Sequence, residues 1–186
     1  MTATIYLIRH AEKPHGDTAP SGVDADGKQD PDSLTPRGWQ RAGALVAFFG
    51  ASAGVRPALP ALATPTHLFA SRVSYGGASY RPRETLVPLA DRLGIAIDTR
   101  FVKEQTAELA QAALDLDGVV LIAWEHHMIP VLASAILGVE TGIPGAWPDD
   151  CFDVTWVFEP GTDGRLRFRQ VPQRLLAGDR TDPIAV

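Results

Sequence analysis

Two short apolar runs constrain this chain most, because each stops abruptly at residues that can do chemistry. Ile5-Tyr6-Leu7-Ile8 is β-branched, aromatic or aliphatic throughout, carries no charge, and ends in Arg9-His10. Val119 to Trp124 follows the turn pair Asp117-Gly118 and ends in Glu125-His126-His127. Runs of this kind read as strands buried on both faces, which need helices on either side of the sheet. In open α/β sheets ligands bind beyond the carboxyl ends of the strands. An arginine there offers an anion a planar fork of donors, and a histidine there can attack or carry protons.

The rest of the chain alternates in the same sense. Residues 3 to 8 form the first predicted strand. A polar stretch from Pro14 to Ser33 follows, long enough to be a functional loop. Its Asp24-Ala25-Asp26-Gly27 lacks the further ligands and closing glutamate of a calcium loop. Thr35-Pro36 starts a helix, with Thr35 as cap and Pro36 at the first helical position. Trp39, Ala42, Gly43, Val46 and Phe49 then fall at helical spacing and are expected to face the core. Gly50 to Pro65 reads as a surface connection, and residues 66 to 71 as a second strand. Arg72 to Ser79 reads as a loop. A helix spans Pro82 to Leu93 with Gly94 as its stop, and Ile95 to Asp98 is a short strand. Leu109, Ala112, Ala113 and Leu116 mark a further amphipathic helix, and Ile129 to Leu137 another, closed by Gly138. Phe152 to Phe158 and Leu166 to Val171 pair as a hairpin across Gly161-Thr162-Asp163-Gly164. The pattern predicts one domain, residues 1–186: a three-layer α/β/α sandwich with a mainly parallel central sheet and a C-terminal hairpin.

Composition narrows the partners. With 17 basic and 22 acidic residues the net charge is −5, which gives no electrostatic support for nucleic-acid binding. An anionic ligand needs local arginines instead. No apolar run is long enough to cross a membrane. The single cysteine, Cys151, excludes an intrachain disulfide and fits a reducing compartment. No secretory leader is visible, so the expected location is cytoplasmic.

Arg9-His10 ends the first strand, Ser71 and then Arg81 follow the second, and His126 ends the strand from Val119. If the three strands are parallel neighbours, these residues gather at one edge of the sheet. At this point the chain resembles the histidine phosphatase (phosphoglycerate-mutase-like) superfamily. Arg9-His10-Ala11 resembles the opening Arg-His-Gly signature, and Leu34-Thr35-Pro36-Arg37-Gly38-Trp39-Gln40-Arg41-Ala42 the first-helix motif. Ser71 with Arg81-Pro82-Arg83-Glu84-Thr85 resembles the Ser…Arg-Ala-x-x-Thr segment, and Leu121 to His126 the late strand ending in histidine. The resemblance covers residues 4 to about 158. Glu125 stands where that family usually has glycine.

The resemblance implies that His10 is the nucleophile, forming a transient phosphohistidine that splits one difficult step into two. It implies that Arg9 and Arg81 hold the non-bridging phosphoryl oxygens, with Ser71 beside them, and that His126 donates a further hydrogen bond. His127 is expected to begin the next helix. The proton donor is expected after the third strand, where Glu104 is the nearest candidate. Shorter members, bacterial phosphohistidine phosphatases among them, lack an obvious acid, in keeping with leaving groups that need little protonation. No cofactor is expected. No metal is expected either, since adjacent His126-His127 lacks the spacing that puts two ligands on one helix face. Cys151 is expected to be inert beside Asp149-Asp150, and these aspartates to shape a turn. Trp39, Trp124, Trp147 and Trp156 read as core or cleft wall. Residues 14–33 and 143–152 are expected to line the cleft mouth.

The leading expectation is a metal-independent phosphatase acting on a small phosphorylated substrate or a protein carrying phosphohistidine. The alternatives are a mutase of the same superfamily, which needs larger lid insertions to exclude water, and a catalytically silent anion-binding module. Glu125 motivates the last, because a carboxylate beside the pocket repels phosphate.

Overall fold

The computed structural model describes residues 3–16, 20–50, 62–73, 79–139 and 142–186. In chain order it contains β1 (Thr4–Arg9), α1 (Pro36–Phe49), β2 (His67–Ala70), α2 (Arg81–Leu93), β3 (Ile97–Asp98), α3 (Thr106–Leu114), β4 (Val119–Trp124), α4 (Ile129–Leu137), β5 (Val154–Pro160) and β6 (Leu166–Pro172). One six-stranded sheet runs in the order β3-β2-β4-β1-β5-β6. Strands β3, β2, β4 and β1 are parallel, and the β5–β6 hairpin joins antiparallel to β1. The architecture is the expected α/β sandwich with a mainly parallel sheet and a terminal hairpin.

The layers follow from side-chain alternation along the strands. Ile5 and Leu7 of β1 and Val120 and Ile122 of β4 pack on one face against Leu109 and Ala113 of α3 and Leu132 and Ile136 of α4. Tyr6 and Ile8, with Leu121 and Ala123, face the other way onto Leu45 and Phe49 of α1 and Leu86 and Leu89 of α2. Each fully buried leucine or isoleucine contributes about 1.5–3 kcal/mol. Both faces are therefore committed to helices, and the ends of the strands are left for other contacts. No helix among the described residues is long and apolar enough to cross a membrane.

Helix boundaries obey local chemistry. Thr35 Oγ1 accepts from Gly38 N at 3.2 Å, with Pro36 in the first turn. Gly94 and Gly138 close α2 and α4 at φ 68° and 69°, where a side chain is strained. The inward face of α1 differs from the expected one. Gly38, Arg41, Ala42, Leu45 and Phe49 are buried, while Gly43 is exposed and Trp39 and Val46 are half-buried. The cause is polar: Arg41 is drawn inward by Glu12 and Asp179. The first turn of α1 also lies so close to the loop after β1 that a Cβ on Gly38 would sit 2.5 Å from the Glu12 carbonyl oxygen. The third strand is shorter than expected, pairing only over Ile97–Asp98. Most of the expected connection from Gly50 to Pro65 and of the loop from Arg72 to Ser79 lies outside the described residues.

Strand register determines what meets at the carboxyl edge. Arg9 is level with Trp124, and Ala70 with Ala123. The residues that follow, His10, Glu125-His126 and Ser71, therefore emerge side by side. Strand β5 runs the other way, with Thr155 opposite Ile8. The segment leading into β5 thus arrives at the same edge.

Candidate active site

Arg9 and His10 leave β1 into a buried environment, 1% and 4% exposed. The Arg9 guanidinium lies 4.1 Å from the centre of the Phe152 ring. Its Nη1 donates to the carbonyl oxygens of Pro148 (3.2 Å), Asp149 (2.5 Å) and Cys151 (3.4 Å). Among the described residues its Nε and Nη2 have no hydrogen-bond acceptor. Burial pulls its pKa down to about 10, against the opposing charge of Asp149, so it is a cation at neutral pH. A buried cation with two unmet donors is a demand for an anion.

His10 Nδ1 lies 2.7 Å from the Ala11 carbonyl oxygen. A carbonyl only accepts, so Nδ1 carries the hydrogen, and in the neutral ring Nε2 carries the lone pair. Burial, reinforced by the charge of Arg9 and then by Arg81 and Lys13, holds the His10 pKa well below the ordinary histidine value. The ring is neutral at physiological pH. Its loop is anchored by Ala11 N, which donates to Thr85 Oγ1 at 2.8 Å, while Thr85 Oγ1 donates to the Arg81 carbonyl at 2.7 Å. The neighbouring Glu84 accepts from Ser33 Oγ (2.7 Å) and Leu34 N (2.9 Å), tying the polar loop to the same helix turn.

His126 is 5% exposed and follows β4 directly. Its Nε2 lies 2.6 Å from Asp149 Oδ1, but off the axis of a hydrogen bond, so the nitrogen keeps no aligned partner. Burial, then Arg9 and His127, push the His126 pKa down to about 4. His126, Lys13 and Arg9 hold the Asp149 carboxyl below the usual carboxylate range. Since His126 is neutral at physiological pH, Lys13 and Arg9 supply that pull there. Asp149 Oδ1 is also 4.0 Å from Arg9 Nη2.

Arg81 is half-buried at the rim. Its Nη2 donates to the Pro31 carbonyl (2.5 Å) and its Nε to that of Ser33 (3.3 Å), with Asp32 at 4.0 Å. Its charge nevertheless acts on His10 and Lys13. Ser71 is buried just beyond β2. Glu104 lies in an exposed turn before α3, 4.0 Å from Lys103, and forms no hydrogen bond or ion pair with Arg9, His10 or His126. Glu125 pairs with the same Lys103 at 3.6 Å, which offsets its charge beside the site. Cys151 is buried, and burial pushes its pKa up to about 12, so it is an inert thiol.

Two contributors escape a reading of the linear sequence. Lys13 is half-buried and electrostatically coupled to Arg9, Asp149, Arg81 and Glu125, which makes it a further cation at the site. It stands two residues past the Arg-His-Ala motif, and that proximity was the available signal. Asp149 belongs to a turn before β5. Only antiparallel placement of β5 beside β1 brings that turn to the carboxyl edge. Beside the site, a cavity of about 350 Å³ is bounded by Lys13, His15, Arg37, Asp150, Phe152 and Asp179. Its floor is the buried Arg41, which bonds Glu12 (2.8 Å) and Asp179 (2.7 Å) and so ties the C-terminal segment to the loop after β1.

The ligand atoms of His126, His127 and Asp149 lie within 4.8 Å of one another. The 2.6 Å between His126 Nε2 and Asp149 Oδ1 is shorter than the about 3.3 Å that two ligands keep around a tetrahedral zinc with bonds near 2.0 Å. The trio is a polar contact rather than a preformed metal cage. What the arrangement offers chemically is a neutral imidazole with a free lone pair, a buried guanidinium with two unmet donors, a second imidazole, and an exposed carboxylate.

No family model matches the chain, and no curated protein matches it by sequence. Solved structures match it over nearly its whole length. The protein histidine phosphatase SixA complexed with tungstate is 16% identical, covering 91% of this chain and 97% of its own, at a TM-score of 0.55. A phosphoserine phosphatase mutant from Entamoeba histolytica in complex with phosphoserine is 12% identical, covering 94% and 100%, at 0.54. Phosphoglycerate mutase from Plasmodium falciparum is 9% identical, covering 99% and 98%, at 0.52. These are histidine phosphatase superfamily structures, and the chain has their fold.

Proposed function

We propose that this protein is a metal-independent phosphatase that hydrolyses a phosphate monoester or phosphoramidate through a phosphohistidine on His10. The observation that carries the reading is the His10 Nδ1 contact to the Ala11 carbonyl at 2.7 Å, which leaves Nε2 as a neutral nucleophile beside the unmet donors of Arg9. The phosphoryl group is held by Arg9 Nε and Nη2 and by His126 Nε2, with the charges of Arg81 and Lys13 at the rim. Ser71 closes the pocket on the β2 side. His10 Nε2 attacks phosphorus in line, the P–N bond forms and the bond to the leaving group breaks. Water then attacks the phosphohistidine, phosphate leaves, and the lone pair returns to Nε2. Charge developing on the phosphoryl oxygens meets donors already in place, the arrangement that lowers such barriers most.

SixA, a protein histidine phosphatase solved with the tetrahedral oxyanion tungstate, shares the fold, which supports an oxyanion site on it. The Glu125–Lys103 pair weighs against a silent module, because the carboxylate that motivated that reading has its own counter-ion. The test is p-nitrophenyl phosphate hydrolysis in the presence of chelator, with an alkaline quench to trap acid-labile phosphoprotein. Turnover and trapped phosphate in the wild type, both lost in His10→Ala, are expected. Turnover that persists in His10→Ala, or that needs added metal, overturns the reading.

A further inference from the structure

The geometry points to Asp149 as the proton donor to the leaving group, and so to phosphate monoesters of ordinary alcohols and phenols as the substrates. This inference rests on the phosphatase reading above. Its first support is position. Asp149 Oδ1 is 2.6 Å from His126 Nε2 and 4.0 Å from Arg9 Nη2, the two buried groups that would hold the phosphoryl oxygens. Its second support is direction. His10 is buried, so an in-line attack from its ring expels the leaving group away from the sheet, towards solvent. The Asp149 side chain is 76% exposed, so it is within reach of a group departing towards solvent.

Its third support is a comparison with carboxylates of the neighbouring loops and helices. Glu12 is bound by Arg41 and Arg37, Glu84 by Ser33 and the Leu34 amide, Glu125 and Glu104 lie against Lys103, and Asp153 is bound by Arg180. Asp149 makes its ionic contacts with His126 and Arg9, the groups of the site itself. It is also the one whose backbone is fastened to the anion-binding arginine, through its carbonyl oxygen on Arg9 Nη1 at 2.5 Å. The turn is held further by Cys151 N donating to the Pro148 carbonyl (3.1 Å) and Trp147 Nε1 donating to the Cys151 carbonyl (2.8 Å).

The groups that face this carboxylate are His126, Lys13, Arg9 and His127. In the free protein they keep it ionised. A bound phosphoryl dianion takes up the charge of those same groups and adds its own repulsion at contact distance, both of which favour protonation of the carboxylate. Asp149 therefore takes a proton from solvent as substrate binds. In the first step that proton passes to the leaving oxygen while the P–O bond breaks and the P–N bond to His10 forms. In the second step the carboxylate accepts a proton from the attacking water as the P–N bond breaks, which restores the acid for release.

The experiment compares wild type and Asp149→Asn on a series of substituted phenyl phosphates running from p-nitrophenyl to unsubstituted phenyl. A proton donor matters more as the leaving phenoxide becomes more basic. The wild type is expected to show a shallow dependence of kcat/KM on leaving-group basicity. The variant is expected to show a steep one, little changed on p-nitrophenyl phosphate and lower by about 10²-fold on phenyl phosphate. Asp149→Glu is expected to recover part of the phenyl phosphate rate, which a purely structural role would not allow. Vanadate binding that survives in Asp149→Asn shows that the pocket is intact. Equal slopes in wild type and variant overturn the assignment and leave the phosphatase reading standing. Absence of wild-type turnover on p-nitrophenyl phosphate overturns both.

Discussion

The two walls of the site are built on different principles. On the β1 side, Arg9 and His10 continue a central strand, are buried, and are held by backbone carbonyls that fix both the guanidinium and the imidazole tautomer. On the α2 side, Arg81 stands at the rim and already bonds the carbonyls of Pro31 and Ser33. One wall is preorganised with buried unmet donors, while the other is a half-buried arginine at the start of α2 that shares two of its guanidinium nitrogens with loop carbonyls. The lesson is that equivalent residue types at one edge need not contribute equally. A donor that has no internal partner gives a ligand more than one that must first release a carbonyl.

That difference can be broken by experiment. The largest effect is expected from His10→Ala, which removes the nucleophile proposed above. Turnover should fall by roughly 10⁴–10⁶-fold with little change in melting temperature, since His10, though buried, belongs to neither large apolar cluster. A clearly lower Tm would show that the loop after β1 is structural first. Arg9→Lys follows, with about 10²–10³-fold lower kcat/KM, because lysine can neither fork onto a phosphoryl group nor hold the 148–151 carbonyls. Arg81→Lys should cost about tenfold, less than the same change at Arg9 because Arg81 is already shared with the loop. Steady-state kinetics on both variants would reverse the ranking of the two walls if Arg81→Lys were the more damaging. Near-normal rates in Arg81→Lys would remove it from phosphoryl binding.

Smaller effects lie in stability. Histidines 10 and 126 are both held neutral in the fold, with pKa values below the ordinary 6.5, that of His126 at about 4. Between the folded and unfolded values the unfolded chain binds more protons, so stability is full above pH 6.5 and falls as pH drops towards 4. Thermal melts from pH 7 to pH 4 should show this decline, with a shallower slope in His126→Gln. A flat profile in the wild type would mean that neither histidine is held neutral by the fold. Asp179→Asn should act on the frame rather than the chemistry. It leaves the buried Arg41 with half of its counter-charge, which should cost about 1–3 kcal/mol of stability measured by denaturant unfolding. Turnover should stay near normal at temperatures well below the transition. A large loss of turnover in a folded protein would place the Arg41 floor in the site itself.

The legibility of the molecule varied with sequence distance and strand direction. Arg9-His10 and His126 could be placed from the linear chain because a buried parallel strand must deliver the residues after it to the carboxyl edge, whichever neighbour it takes. The helices were readable from their periodicity and from Pro36, Gly94 and Gly138. The inward face of α1 was not, because Arg41 is buried by Glu12 and Asp179, the second of which lies 138 residues away. A polar partner at that range leaves no trace in local hydrophobic spacing.

By itself, then, the amino-acid sequence determined the α/β alternation, the ends of its strands and the pairing of an arginine with a histidine at one of them. These follow from local burial patterns and from the geometry common to all parallel sheets. Only the tertiary structure decided that β5 lies antiparallel beside β1. That one pairing brings Asp149 within 2.6 Å of His126, gives Arg9 its three carbonyl anchors, and sets Phe152 against the guanidinium. The physical reason is that strand order is settled by burying two whole faces at once, a collective quantity that no single segment encodes.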